Sequence, residues 1–372
     1  MTYRRGMEQL LGRAGELIAI PSTAERPDDL RRALALVLDV VGPGFEVDRF
    51  ESNGKPSALV RTAGATGTFR IILNAHLDVV PGDPEQFRAR RVGERLYGRG
   101  AHDMKVAALV LATVFREVAA ELPYPIALQL VTDEEVGGYD GTGHQLARGV
   151  RGGFVVIGEQ SGLRVVTESR GIAQVRLRTT GRSAHAAYPW LGRNALVALL
   201  DAIGAILRRY PPPAAETWST TVNVARIETG NRAVNQVPAE ASAWLDIRYP
   251  PADTDFTGRT RDDIAAHLRE LAGGDAEVGV DNLGPPHRAE PGSAEVGLLR
   301  QAARRHGYPG SLLRKHGAAD GRFYSERGMD AVIFGPGGDG QHGPDEYLDL
   351  STLRPYHDVL VDFLRALRPL GP

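Results

Sequence analysis

The sequence predicts an α/β fold, a mostly parallel sheet into which a smaller α+β domain is inserted. Three observations predict it. Short, near-continuous apolar runs alternate with helical patterns, as strands buried on both faces do. The middle of the chain changes rhythm to strand–helix–strand–strand–helix–strand, a split βαβ unit. A length of 372 residues suits about two domains.

The elements follow in order. Asp28 to Val41 carries Leu30, Ala33, Leu34, Val37, Leu38 and Val41 at spacings of three and four, with Pro27 as a start signal, and predicts an amphipathic helix. Arg70 to Ala75 is apolar and runs into His76; Ile126 to Val131 runs into Thr132-Asp133-Glu134-Glu135. Phe154 to Gly158 runs into Glu159, and Ala331 to Phe334 runs into a Gly/Pro-rich turn and then His342. Helical patterns at Met104 to Ala119 and Thr352 to Leu367 separate them. Ligands of such sheets bind beyond the carboxyl ends of the strands, and each of these ends leads to a His or an acid. The middle segment has strands at 171–180, 220–227, 239–249 and 276–280. Its helices lie at 194–207, with Leu196, Leu199, Leu200, Ile203 and Ile206 as one stripe, and at 261–271. The expected division is therefore 1–167 with 288–372 as one domain and 168–287 as the insertion.

Composition excludes several function classes. Apolar residues are 42% and charged residues 24%, so the chain can build a globular core. Lys plus Arg is 44 against 46 for Asp plus Glu, a net charge of −2, and nothing points to nucleic acid or an anionic membrane as partner. There is no cysteine, hence no disulfide, thiolate metal site, catalytic Cys or Cys-ligated cluster. Any metal must be held by imidazole and carboxylate. No apolar signal-peptide core and no run of about 20 apolar residues appears, so a cytoplasmic protein is expected.

Five elements carry chemistry. In His76-Leu77-Asp78, extended geometry puts both side chains on one face, so Asp78 can orient a metal-binding imidazole. Gly98-Arg99-Gly100-Ala101-His102-Asp103-Met104-Lys105 stands just before a helix and offers Asp103 as a carboxylate shared by two cations. In Asp133-Glu134-Glu135, adjacent acids at a buried strand end resist ionisation unless a cation lies near. Glu159 and His342 complete the set. Each alone has a plain alternative: a capped strand-end His, a first-turn acid, a solvated acidic turn, a surface loop. Together they suit two zinc-like ions about 3.5–4 Å apart sharing one carboxylate.

These motifs, in this order over nearly the whole chain, resemble the M20 family of metallopeptidases and deacylases. The resemblance implies a zinc-dependent hydrolase of linear amides or peptide bonds with two Zn2+, replaceable by Co2+ or Mn2+. It implies His76 and Glu159 on one ion, Glu135 and His342 on the other, and Asp103 between them. Asp78 would orient His76, and Glu134 would be the general base. It further implies that 168–287 is a lid and dimerisation domain. There Ser183-Ala184-His185 supplies an oxyanion-stabilising His185 acting in the partner subunit of a homodimer. Asn235 in Asn235-Gln236-Val237-Pro238 and Arg248 in Asp246-Ile247-Arg248 would contact a substrate carboxylate. Arg322 in Asp320-Gly321-Arg322-Phe323, and Arg170 before Gly171, are further substrate-side matches. A cis peptide at Asp103–Met104 is also implied. Two positions depart from the family pattern: Val106 replaces a Gly, and Phe87 stands where a Trp is usual. The expected reaction is removal of an acyl group from an N-acyl amino acid. An M20 exopeptidase or dipeptidase, and an inactive M20-like binding protein, are the alternatives.

Overall fold

A computed structural model describes residues 2–274 and 276–369. The chain forms two compact units. One comprises Met1–Thr167, Arg288–Arg314 and Ala319–Pro372; the other comprises Glu168–His287 with the short segment Lys315–Ala318. That segment lies outside the 168–287 window drawn from the sequence, because it follows a strand end and has no apolar periodicity of its own.

In the first unit, strands Ile126–Val131, Thr68–His76, Arg151–Ile157 and Asp330–Ile333 lie side by side in that order and run parallel. The hairpin of Phe45–Ser52 and Lys55–Thr62 adds antiparallel strands beside Ile126–Val131. Strand alternation splits the apolar side chains between two faces. Ile71, Leu73, Ala75, Leu128, Leu130, Phe154 and Val156 join one core with helices Pro27–Val41, Lys105–Val118, Ala294–Arg305 and Leu353–Ala366. Ile72, Ala127, Val155 and Ile157 join the other with Leu146, Phe323 and Tyr324. Burial on both faces explains why these strands read as unbroken apolar runs. Val106 is fully buried in the first core. Because the strands are parallel, their carboxyl ends share one edge: His76 pairs with Val131, Asn74 with Ile157, and Ile333 with Ile157. That edge carries the site.

In the second unit, strands Thr221–Glu228, Glu240–Tyr249, Gly171–Thr180 and Glu277–Gly284 form an antiparallel sheet in that order. Helices Ala195–Arg209 and Arg261–Leu271 cover one face through Leu199, Ile203, Ile206, Ile264 and Leu268. Asn194 caps the first helix, accepting from Leu196 N and Val197 N at 3.0 and 3.2 Å. Leu200 does not share the buried stripe and is 50% exposed. At about 100° per residue it falls past the rim of the Leu199–Ile203–Ile206 face. Among the described residues no helix is long and apolar enough to cross a membrane.

Candidate metal centre

The carboxyl edge of the parallel sheet gathers the residues. His76 ends its strand and is 2% exposed. Its Nδ1 lies 3.1 Å from the carbonyl oxygen of Asp78 and 3.6 Å from Asp78 Oδ1, and its Nε2 lies 3.0 Å from Asp103 Oδ1. The Asp78 carboxylate also accepts from the backbone N–H groups of Glu134 and Glu135 at 3.2 and 2.9 Å. One buried acid therefore sets both the imidazole and the acidic turn. The sequence pattern pointed only to the imidazole, because the second contact is with backbone.

Asp103 precedes helix Lys105–Val118, and the Asp103–Met104 peptide is cis. Its two oxygens face different imidazoles. Oδ1 faces His76, and Oδ2 lies 3.4 Å from His342 Nε2. Oδ2 also accepts from Gln341 Nε2 at 2.5 Å and Gln160 Nε2 at 3.5 Å. His342 Nε2 lies 3.2 and 3.1 Å from the two Glu135 oxygens. Ligand atoms of His76, Asp103 and Glu135 fall within 4.8 Å of one another, as do those of His76, Glu134 and Glu159. The second cluster includes Glu134, which the resemblance makes a base and not a ligand. His102, next to Asp103, belongs to neither cluster.

Glu159 follows strand Arg151–Ile157 on a turn held by Gly158 N donating to Asn74 O at 3.0 Å. Gly335 crosses that turn closely: a Cβ there would lie 2.3 Å from the Glu159 carbonyl oxygen and 2.4 Å from that of Gly158. Only glycine permits the approach.

Electrostatics mark the edge as crowded with acids. Burial pushes Glu134 well above its usual 4.5, and Glu159 adds to the push. Burial also raises Glu135 against the opposing pull of His342. Asp133 is raised to about 6 and the deeply buried Asp320 to about 7, both chiefly by burial. Burial pulls His76 down, but hydrogen bonds to Asp103 and Asp78 with their charges outweigh it and hold the imidazole well above 6.5. Hydrogen bonds to Asp103 and Glu135 raise His342 to about 10. Acids this close favour cations, and a purely nitrogen-and-oxygen donor set of two imidazoles and several carboxylates fits zinc-like divalent ions.

The profile of peptidase family M20/M25/M40 matches residues 72–366. The chain belongs to the M20 family. It is a metallo-hydrolase of amide or peptide bonds. It is 30% identical to the succinyl-diaminopimelate desuccinylase of Bordetella pertussis, over 92% of this chain and 94% of that one. Its fold is that of a tripeptidase from Staphylococcus aureus, with TM-score 0.79 and 20% identity over 96% of this chain and 98% of that one. A dinuclear metal-binding M20 peptidase from Bacillus subtilis is also similar, with TM-score 0.68 and 15% identity over 97% and 98% of the two chains.

The remaining sequence-predicted residues of this M20 hydrolase belong to neither of the two ligand-atom clusters. Arg322 is buried and donates from Nη2 to the Gly137 carbonyl at 2.6 Å, so it braces the turn that carries Glu134 and Glu135. His185, Asn235, Arg248 and Arg170 belong to the second unit. His185 is exposed, with Nδ1 accepting from Ala187 N at 3.1 Å. Asn235 is exposed, and its carbonyl accepts from Ala186 N at 2.8 Å. Arg248 forks onto its strand neighbour Asp246 at 2.6 and 3.2 Å. Arg170 is buried, lies 5.4 Å over the Trp218 ring and donates to Thr221 Oγ1 at 3.1 Å. Burial and the nearby Arg248 lower its pKa.

Sequence reasoning assigned no role to four residues at the centre: Arg99, Glu346, Gln341 and Asp320. Arg99 and Glu346 are an ion pair at 2.6 Å, and both are buried. Glu346 closes the His342-Gly343-Pro344-Asp345-Glu346 motif, which was the available signal.

Proposed function

We propose that this protein removes the acyl group from an N-acyl amino acid, using two zinc ions. The observation that carries the metal part is Asp103, whose two carboxylate oxygens face two imidazoles, His76 and His342, at 3.0 and 3.4 Å. A carboxylate so disposed suits a bridge, with His76 and Glu159 on one side and Glu135 and His342 on the other. The acyl-amino-acid part is supported by similarity to a desuccinylase along nearly the whole chain.

Held there by His76, Asp103, Glu135, Glu159 and His342, two such cations would supply acidification of an attacking water and polarisation of the scissile carbonyl. The rest is done by side chains. Glu134 takes the proton of the attacking water and later delivers it to the leaving amine nitrogen. Burial is the first cause of its raised affinity for protons. Asp78 keeps His76 and the Glu134–Glu135 backbone in place. His185 donates to the oxyanion, an interaction typically worth about 2.7–4 kcal/mol. Arg248, which spends two N–H groups on Asp246, offers the others to a substrate carboxylate; Asn235 and Arg170 assist.

The second unit is proposed to act as lid and dimerisation domain of a homodimer. Its outer strand Thr221–Glu228 is mostly exposed, and Trp190, Leu191, Val197 and Leu200 are 72%, 56%, 52% and 50% exposed. An open strand edge and apolar side chains together are what pairing with a second copy would cover.

The test is a substrate panel for the zinc-reconstituted protein: acetyl-, succinyl- and formyl-amino acids beside dipeptides. The proposal expects at least one N-acyl amino acid to be cleaved faster than the dipeptides. Cleavage of dipeptides alone would overturn it in favour of an exopeptidase.

A further inference from the structure

Behind the centre lies an ion pair that no step above uses. Arg99 and Glu346 are 3% and 2% exposed, and Arg99 Nη1 donates to Glu346 Oε2 at 2.6 Å. The other Glu346 oxygen, Oε1, accepts from two successive backbone N–H groups, His102 at 3.1 Å and Asp103 at 3.2 Å. The other arm of Arg99, Nη2, donates to the His342 carbonyl at 3.1 Å. His342 sits at φ 61°, a left-handed conformation uncommon for a residue with a side chain. Further bonds lock the pair's own backbone. Gly98 N donates to Glu346 O at 3.1 Å, and Arg99 N donates to Gln86 O at 2.7 Å. Gln86 Nε2 donates to Gly343 O at 2.9 Å.

We propose that Arg99 and Glu346 are positioning residues for metal capture, a claim that rests on the metal-centre reading above. Together they join two loops that are distant in sequence. One delivers the carboxylate of Asp103, the other the imidazole of His342. Glu346 fixes the backbone from which Asp103 projects, and Arg99 fixes the carbonyl of His342 itself. Fold stability alone does not call for such a pair, since well-packed neutral residues often hold a buried site equally well. A planar guanidinium with two arms does what a neutral residue cannot: from the Asp103 loop it bonds a carboxylate and a carbonyl of the His342 loop at fixed spacing. Neither residue belongs to a ligand-atom cluster. The pair sets where the ligands stand before an ion arrives.

The experiment titrates the chelator-stripped full-length protein with Co2+, following the visible absorption of the bound ion. Wild type is expected to fill in two steps. The double variant Arg99→Met with Glu346→Gln is neutral and keeps an acceptor for the His102 and Asp103 N–H groups, so its metal-free melting temperature should stay near wild type. Its binding to the His342 side should weaken by about 10–100-fold, the usual cost of losing a group that orients a ligand. Arg99→Lys, with one cationic head for two acceptors, should fall between them, and it decides the matter on the same titration if the double variant does not fold. Unchanged affinity for both ions in the folded variant overturns the proposal while leaving the metal centre intact. A wild type that binds no ion overturns both.

Discussion

Replacing Glu134 with Gln separates two roles that the geometry alone leaves adjacent. Ligand atoms of Glu134, His76 and Glu159 lie within 4.8 Å of one another, so Glu134 stands where a ligand could stand as well as where a base should. The Gln side chain keeps the shape, and the backbone N–H of residue 134 keeps its 3.2 Å bond to Asp78. What is lost is a proton acceptor. A positioned general base contributes about 10²–10⁴-fold, so kcat should fall by that factor while KM changes little. Both metal equivalents should remain bound. The metal-free protein provides an independent check with a definite sign. Burial, with help from Glu159, holds the Glu134 pKa well above 4.5 in the folded state. The folded state therefore binds this proton more tightly than the unfolded chain, and wild type loses stability as pH rises from about 4.5 through the raised value. The variant cannot lose it, so its melting temperature should rise relative to wild type as pH increases. The assays are steady-state hydrolysis, metal analysis after gel filtration and a pH series of melts. Loss of one metal equivalent with activity retained would refute the assignment and make Glu134 a ligand.

Three further outcomes follow from the same geometry. Asp320 is raised from 3.8 to about 7, chiefly by burial; Asp320→Asn should therefore gain on wild type between about pH 4 and 7 in metal-free melts, on the order of 4 kcal/mol, and a constant difference across that range would contradict the assignment. Gly335→Ala would put a Cβ 2.3 Å from the Glu159 carbonyl oxygen; it should cost about 1–3 kcal/mol and weaken the ion on the His76–Glu159 side, measured by denaturant melts and metal titration. If His185 acts in the partner subunit, mixing inactive His185→Ala and Glu134→Ala proteins under subunit exchange should restore activity, because one site of each mixed dimer is intact; silence after proven exchange would place His185 in its own chain or outside the reaction.

The strands and the His and acid residues at their ends were legible because both follow short-range rules. The apolar run Ile126–Val131 is a strand buried along its whole length, and Asp133, Glu134 and Glu135 follow where it emerges at the sheet edge. The helix Arg261–Leu271 and the strand Gly171–Thr180 were equally plain from their 3.6- and 2-residue periods. Leu200 was misplaced because a stripe judged from spacing is wider than the face the sheet covers. The less visible features are contacts between distant segments made through backbone atoms. Asp78 holding the Glu134 and Glu135 N–H groups, Glu346 holding those of His102 and Asp103, and Arg322 holding the Gly137 carbonyl all depend on loop paths. Residue type sets which groups can donate and accept, but not which backbone atom comes within hydrogen-bond reach.

The most direct measurement is hydrolysis of an N-succinyl amino acid against bound zinc, from the chelator-stripped protein to saturation. Activity should be absent at the start, rise with added zinc and level off at two equivalents per chain. Glu134→Gln should bind the same two equivalents and stay nearly inactive. Full activity in the stripped protein, or a plateau with no zinc bound, would contradict the two-metal centre built on His76, Asp103, Glu135, Glu159 and His342.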